Sequence, residues 1–367
     1  MSPDNPDVHE NLSPQISVVI SVFNEERWIE KCLRSLLNQS VNDIEIICVD
    51  DGSTDRSPQI IARMSKYDNR IFPIYNQHNI GLTPSLNKAL AHVKGKYIAR
   101  VDADTFCHPD RFEIQRNVFE QNPSVVLVGS AVQHIDERYQ KIYVIGSSMG
   151  RTTFYFTHLF KTPIAHSSAM FLSEIVIGGG EYYDESFGVA QDHDMWTRLL
   201  TYGDGIQLSN VLVSSIKRCG ISNLRRNEQR QKLADVCRAS VENLPGSTNK
   251  DTQHLENFLL LKNNQKDLNF REIFEMRRFV TRLRYLVLLK KPTLEAWDYF
   301  DLCRAELDIL VTVFARSKNR KIFGVCLVTL FVHPRTLIGI FWTYIFVPGR
   351  RKLEGLQKRN PANETSP

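Results

Sequence analysis

Three stretches of this chain are apolar runs that close on polar or acidic residues: ISVVISVFNE (16–25), IEIICVDD (44–51) and YIARVDAD (97–104). A continuous β-branched run bounded by turn residues reads as a strand buried on both faces. Between these runs the period changes. Residues 26–38 place Trp28, Ile29, Cys32, Leu33, Leu36 and Leu37 on one helical face. DGSTDRS (51–57) is a turn whose Ser or Asp can cap a helix carrying Ile60, Ile61 and Met64 inward. IFPIY (71–75) is a further strand, and TPSLNKALAHV (83–93) a helix with Pro84 in its first turn. Such alternation predicts a mostly parallel sheet with helices on its faces. In those sheets ligands bind outside the carboxyl ends of the strands. Phe23-Asn24, Asp50-Asp51 and Asp102 to Asp104 all fall there. Like charges crowded at one edge require a cation, a proton or solvent to offset them.

The 367 residues suffice for one large domain or two ordinary ones, and the net charge of +5 is small but unevenly placed. Seven scattered cysteines with no CxxC pair suggest neither a zinc site nor a disulfide framework, and fit a reducing compartment. The polar N-terminus lacks the apolar core of a signal peptide, which predicts a cytoplasmic protein.

After about residue 222 the chain becomes rich in Arg, Lys, Glu, Leu and Gln at helical spacing, with LPGSTNKDT (244–252) as an interhelical loop. The expected organisation is a tail at 1–14, an α/β domain at 15–222, a helical region at 223–320, an apolar and basic segment at 321–355, and a tail at 356–367. The apolar runs at 322–332 and 337–347 fall short of the roughly 20 residues that span a bilayer. With MRRFVTRLRYLVLLKK (276–291), their interleaved basic residues suit peripheral or monotopic association with the inner membrane face. The alternative is a helical subdomain whose apolar faces pack on each other. Basic residues interleaved with apolar ones do not form a nucleic-acid stripe.

Carboxylates spaced D-x-D after a strand can share one hard divalent cation, Mn²⁺ or Mg²⁺, which completes its shell with phosphate oxygens. No G-x-G-x-x-G and no G-x-x-x-x-G-K-[ST] is present, which counts against dinucleotide and P-loop enzymes. The segments ISVVISVFNEERWIEKCLRSLLNQ, IICVDDGSTDRS, NIGLTPSLNKAL and GKYIARVDADTFCHPDRF together resemble a family 2 glycosyltransferase of the GT-A fold, over roughly residues 15–222. TPIAHSSAMF, GGGEYYDESFGVAQDHDMWTRL and IKRCGIS look like its acceptor-side segments.

The resemblance implies a GT-A α/β fold, a mostly parallel sheet flanked by helices, followed by a helical C-terminal region. It also implies roles. Phe23 packs on the nucleobase, with Asn24 and Glu25 in the same donor-binding segment; Asp51 hydrogen-bonds the base, with Asp50 beside it. Arg100 sits near the diphosphate, Asp102 at the ribose, Asp104 on the metal, and Asp192 is the catalytic base. His166 touches acceptor or phosphate, or is a satisfied structural histidine. Lys217 and Arg218 help neutralise diphosphate, or are exposed strand-end charges. The chain departs from the family where it has Asp104-Thr105 and Gln191-Asp192, and it lacks Q-x-x-R-W, which predicts single addition rather than processive synthesis. The implied reaction is metal-dependent, inverting transfer from a nucleotide-sugar, UDP-sugar favoured, to a glycan or lipid-linked acceptor. A nucleotidyltransferase and a non-catalytic nucleotide-sugar-binding scaffold are the other classes.

Overall fold

The computed structural model describes residues 14–217, 226–264, 270–290, 302 and 304–306. The expectations placed on Arg218, on both apolar runs at 322–332 and 337–347, and on residues 1–13 and 356–367 lie outside them. Four strands, β1 (Ile16–Val22), β2 (Ile44–Asp50), β3 (Ile71–Tyr75) and β4 (Tyr97–Arg100), form the parallel half of the sheet. Their spatial order is β3-β2-β1-β4. Helices α1 (Ile29–Leu37), α2 (Ser57–Tyr67) and α3 (Leu82–Leu90) connect them. Helix α1 starts later than its apolar face does, because the Trp28 and Ile29 N–H groups both turn back onto the Glu25 carbonyl at 2.9 Å. Before α2, Asp55 Oδ1 accepts the Ser57 N–H at 2.9 Å, but the cap position itself is Arg56, without a side-chain cap bond, rather than the expected Ser or Asp.

The chain then runs through β5 (Thr105–Cys107), α4 (Arg111–Gln121), β6 (Val125–Ile135), β7 (Lys141–Ile145), α5 (Arg151–His158), β8 (Met170–Leu172), α6 (Gln191–Leu199) and β9 (Asp204–Ile216). Strand β8 joins the halves, antiparallel to both β4 and β6. Strand β9 lies parallel to β6, β5 lies antiparallel on β9, and β7 folds back on β6 as a hairpin.

Side chains that alternate along the strands supply two cores. Ile16, Val18 and Ile20 pack with Leu33 and Leu36 of α1, Met64 of α2 and Phe112 of α4. Val19, Ile47 and Ile98 face the opposite way, toward Leu86 of α3, Phe154 of α5 and Trp196 of α6. That second core continues into α7 (Arg226–Glu242), α8 (Asn249–Asn264) and α9 (Phe270–Lys290) through Cys237, Phe258 and Leu283. Burying each such side chain contributes about 1.5–3 kcal/mol, so this union outweighs surface ion pairs.

Helix α9 carries residues 276–290, the upstream part of what the sequence placed at a bilayer. Its Phe279, Val280, Leu283, Leu286 and Val287 are buried in the second core. Tyr285 and Leu289 remain exposed, 57% and 49%, so a bilayer would meet these two rather than the helix's main apolar face. No helix among the described residues is long and apolar enough to cross a membrane.

Candidate active site

Strand register brings the polar tips level. Val22 pairs with Asp50 and Asp50 with Tyr75, while Val19 pairs with Arg100. Leaving β1, Phe23 stays 44% exposed, an aromatic face open at this edge. Asn24 takes the left-handed conformation, φ 55, which Asn tolerates better than most side chains. Its Oδ1 accepts the Thr54 N–H at 2.8 Å, and its own N–H reaches Ser53 Oγ at 3.0 Å. The Glu25 N–H donates to Ser57 Oγ at 2.8 Å. The two first loops are thus stitched to each other.

Asp50 and Asp51 are both buried, and they face different tasks. Asp51 Oδ1 accepts the Ile80 N–H and the Asn76 amide, each at 2.9 Å, and Oδ2 accepts the Gly81 N–H at 2.9 Å. Its carboxylate therefore holds the entrance to α3. Asp50 Oδ2 accepts the Ser53 N–H at 3.3 Å, the Ser53 hydroxyl also supports the carboxyl, and Oδ1 lies buried without a hydrogen-bond partner among the described residues. Burial pushes the Asp50 carboxyl up from its ordinary range. A buried acceptor without a donor is costly, which marks Asp50 as the acid with capacity for a ligand N–H. Gly52 makes this corner feasible: at φ +70 an added Cβ would sit 2.5 Å from the His78 carbonyl carbon. Gly52→Ala is expected to cost roughly 1–3 kcal/mol from the backbone conformation alone. Thermal unfolding with and without nucleotide checks this; an unchanged midpoint contradicts it.

The D-x-D pair is not in a strand. Strand β4 ends at Arg100, and Asp102 and Asp104 stand on a turn closed by the Thr105 N–H to the Asp102 carbonyl at 3.0 Å. The reason is directional, since the chain must reverse here to run β5 against β9. Arg100 is 1% exposed and forms an ion pair with Asp102, while its Nε has no hydrogen-bond partner among the described residues. Arg111 Nη2 supports the strand end, donating to the carbonyls of Arg100 at 3.1 Å and Ala169 at 3.2 Å. The Ile216 N–H bonds the Asp104 carbonyl at 3.2 Å, tying the turn to the end of β9. Lys217 follows, exposed, with Nζ 5.9 Å from the Tyr143 ring centroid.

Among the described residues no three His, Cys, Asp or Glu side chains gather into a cage for an ion. Half-buried Asp102 and Asp104 on one turn fit an ion held by one or two carboxylates and completed by phosphate, the habit of Mg²⁺. Arg100 competes for Asp102.

Asp192 lies in the first turn of α6, with Oδ1 accepting the His193 N–H at 2.9 Å. Burial raises its pKa, the His193 N–H and then Arg100 work against that shift, and Asp102 adds to it. Arg100 and Asp102 are therefore electrostatic neighbours of Asp192, although 90 residues separate Asp102 from Asp192 in sequence. Asp194, two residues on, is occupied by Arg198 at 3.0 Å, and Trp196 and Leu199 are core. His166 Nε2 lies 2.8 Å from the Tyr183 hydroxyl, and burial, then Arg100, holds the imidazole well below its ordinary pKa. A neutral imidazole engaged with Tyr183 matches the structural reading of His166.

Sequence reasoning missed Tyr183 and Asn87. Tyr183 is buried, and Arg100, Asp192 and Asp102 all act on its phenol. Nothing in GGGEYYDES separates it from Tyr182. Asn87 did carry a signal: an amide inside a short helix is disfavoured there unless something employs it.

The family model for Glycosyl transferase family 2 matches residues 17–177. The chain is 31% identical over 221 residues to the amylovoran biosynthesis glycosyltransferase AmsE of Erwinia amylovora, covering 57% of this chain and 79% of that one. It is 27% identical over 234 residues to an uncharacterized glycosyltransferase of Haemophilus influenzae, covering 60% and 72%. In fold it is similar to S. aureus TarS residues 1–349 crystallised with UDP-GlcNAc, with a TM-score of 0.52, 15% identity and coverage of 83% and 84%. The acid-tipped mixed sheet and these matches place the chain in glycosyltransferase family 2, and it is a glycosyltransferase.

Proposed function

We propose that the chain transfers one sugar per encounter from a nucleotide-sugar, UDP-sugar favoured, to a glycan or lipid-linked acceptor, with inversion. The GT-A unit at 15–222 would carry the chemistry and the helices at 223–320 would buttress it. The segment at 321–355 would hold the protein at the inner membrane face. One observation supports the reading: Asp192, in the first turn of α6, lies within electrostatic reach of Arg100 and Asp102, which are themselves paired.

The donor lies along that edge. Phe23 packs on the base, and Asp50 and Asp51 offer carboxylate oxygens to its N–H groups, with Asn24 and Glu25 shaping the loop beneath. The buried Arg100 guanidinium, and Lys217 at the rim, counter the diphosphate charge, and Asp102 takes the ribose. Mn²⁺ or Mg²⁺, held at Asp104 with Asp102 beside it, would supply charge neutralisation for the departing diphosphate. Asp192 accepts the proton of the acceptor hydroxyl. As that oxygen bonds to the anomeric carbon, the bond from carbon to diphosphate oxygen breaks on the opposite face. The nucleoside diphosphate leaves with the bonding pair.

Support comes from three directions. The family model matches residues 17–177, a relative named for amylovoran biosynthesis aligns with 57% of the chain, and TarS was crystallised with UDP-GlcNAc in a similar fold. A thermal-shift panel of UDP-, GDP-, CDP- and dTDP-sugars with Mn²⁺ or EDTA tests the reading. One nucleotide class is expected to raise the unfolding midpoint in the presence of Mn²⁺ only, since ligand at about 100 times its Kd adds about 2.7 kcal/mol. Release of pyrophosphate instead of a nucleoside diphosphate would identify a nucleotidyltransferase.

A further inference from the structure

Helix α3 touches both halves of the site. At its entrance Asp51 fixes the Ile80 and Gly81 N–H groups at 2.9 Å each. One turn on, Thr83 Oγ1 donates to the Phe187 carbonyl at 3.1 Å. Another turn on, Asn87 meets the backbone of Tyr183 in both directions. Its Nδ2 donates to the Tyr183 carbonyl at 2.8 Å, and its Oδ1 accepts the Tyr183 N–H at 3.0 Å. The same Nδ2 also reaches Glu185 Oε1 at 3.0 Å. A side-chain amide has one acceptor and two N–H donors, and here both ends are spent on the N–H and C=O of one residue 96 positions away. That is the bond pattern of a sheet pair made by a single side chain.

On its N-terminal side the loop is also tied to α6 and the turn after it: Arg198 pairs with Glu181 and donates to the Tyr182 carbonyl at 2.6 Å, and the Tyr202 hydroxyl donates to Glu181 Oε1 at 3.0 Å. Gly178, Gly179 and Gly180 precede it, and at Gly178 and Gly180 an added Cβ would meet nothing within 4 Å. On the far side it leads to Ala190, at φ 60, and into α6 with Asp192. Tyr183 itself passes the position on through its hydroxyl to His166 Nε2 at 2.8 Å.

We propose that Asn87 is a positioning residue for transfer: it clasps the Tyr183 peptide to α3, so that the segment leading to Asp192 is set by the helix Asp51 anchors. The clasp rests on the reading of Asp192 as base. It makes the acceptor wall answer to the donor floor through one rigid element, because anything that shifts residues 80–81 moves Asn87 and Tyr183 with it.

The experiment uses the full chain with Asn87→Ala and, as a near-isosteric second variant that removes only the Phe187 bond, Thr83→Val. Amide hydrogen exchange of peptides spanning 181–187 reads the clasp directly. Isothermal titration with UDP and Mn²⁺ reads the donor side, and nucleoside-diphosphate release from the panel's best sugar nucleotide reads transfer. Expected are faster exchange at the Tyr183 amide in Asn87→Ala, UDP affinity within about twofold of the parent, and release lowered by up to about 10²-fold, the scale of an ångström-level misplacement. Thr83→Val is expected to show the same split more weakly. Parent-like release with a loosened 181–187 segment in either variant overturns the proposal. So does a fall in UDP affinity that matches the fall in release, since that would put Asn87 on the donor side. Asp192→Asn run in parallel separates the two readings. If it retains release while Asn87→Ala loses it, the base assignment fails and the clasp stands.

Discussion

Asp192→Asn is expected to lower transfer by roughly 10²–10⁴-fold, the usual contribution of a general base, while nucleotide binding stays within about twofold. The substitution keeps the shape and keeps an Oδ1 for the His193 N–H, now at 2.9 Å. What it removes is the proton acceptor and one negative charge opposite Arg100. Burial holds the Asp192 carboxyl above its ordinary range, with the His193 N–H and Arg100 pulling the other way. The parent enzyme should therefore lose kcat as pH falls through a value above the usual carboxylate pKa of about 3.9. In the Asn variant that acid limb should vanish. Steady-state release of nucleoside diphosphate across pH, paired with UDP titration, checks both parts. Matched losses of release and binding would remove Asp192 from the role of base.

The second large effect is on stability in mild acid. His158 is buried, its ring stacked on His193 at a centroid distance of 4.0 Å, with Nε2 2.8 Å from Thr197 Oγ1. Burial pushes its pKa down to about 3, and His166 is moved the same way by burial and then Arg100. The unfolded chain takes up these protons as pH falls through about 6.5, whereas the folded chain refuses them. Stability from both groups is therefore complete above about pH 6.5 and is lost progressively below it, by up to about 1.4 kcal/mol per pH unit for each imidazole. Burial raises the carboxyls of Asp50, Asp192 and Asp194 above their ordinary range, and their protonation in the folded chain opposes this trend as pH falls toward those raised values. Between pH 7.5 and 5.5 the urea midpoint is expected to drop, His158 alone supplying the equivalent of about 1.4 kcal/mol. His158→Gln should remove that part of the drop. A flat midpoint over this interval would contradict the burial of the His158 ring in the neutral form.

Much of the scaffold was legible because its signals are local. The runs ending at Val22, Asp50 and Tyr75 are strands, and DGSTDRS supplies the turn before α2, where Asp55 accepts the Ser57 N–H. The acidic tips also lie at one edge, which the strand–helix alternation dictates. Three features were not legible, each for a physical reason. The D-x-D motif stands on a turn because β4 must release the chain toward β9, a demand made by a strand about 100 residues downstream. Asp51 and Asp50 divide their work according to which side of β2 each faces and what packs there, and a dipeptide does not encode that. The apolar residues of α9 show the same periodicity whether a bilayer or other helices cover them. Only the packed neighbours decide between the two.

The second core has a practical consequence for anyone wishing to shorten or recombine this enzyme. A fragment ending at residue 222 would strip Cys237, Val241, Phe258, Leu283 and Leu286 from the flank of α5 and α6, leaving a greasy wound beneath the helix whose first turn carries Asp192. Exchanging the last third between relatives would require grafting matched surfaces of α5 and α6 along with it. Selectivity engineered in the front of the molecule is thus hostage to carpentry at the back.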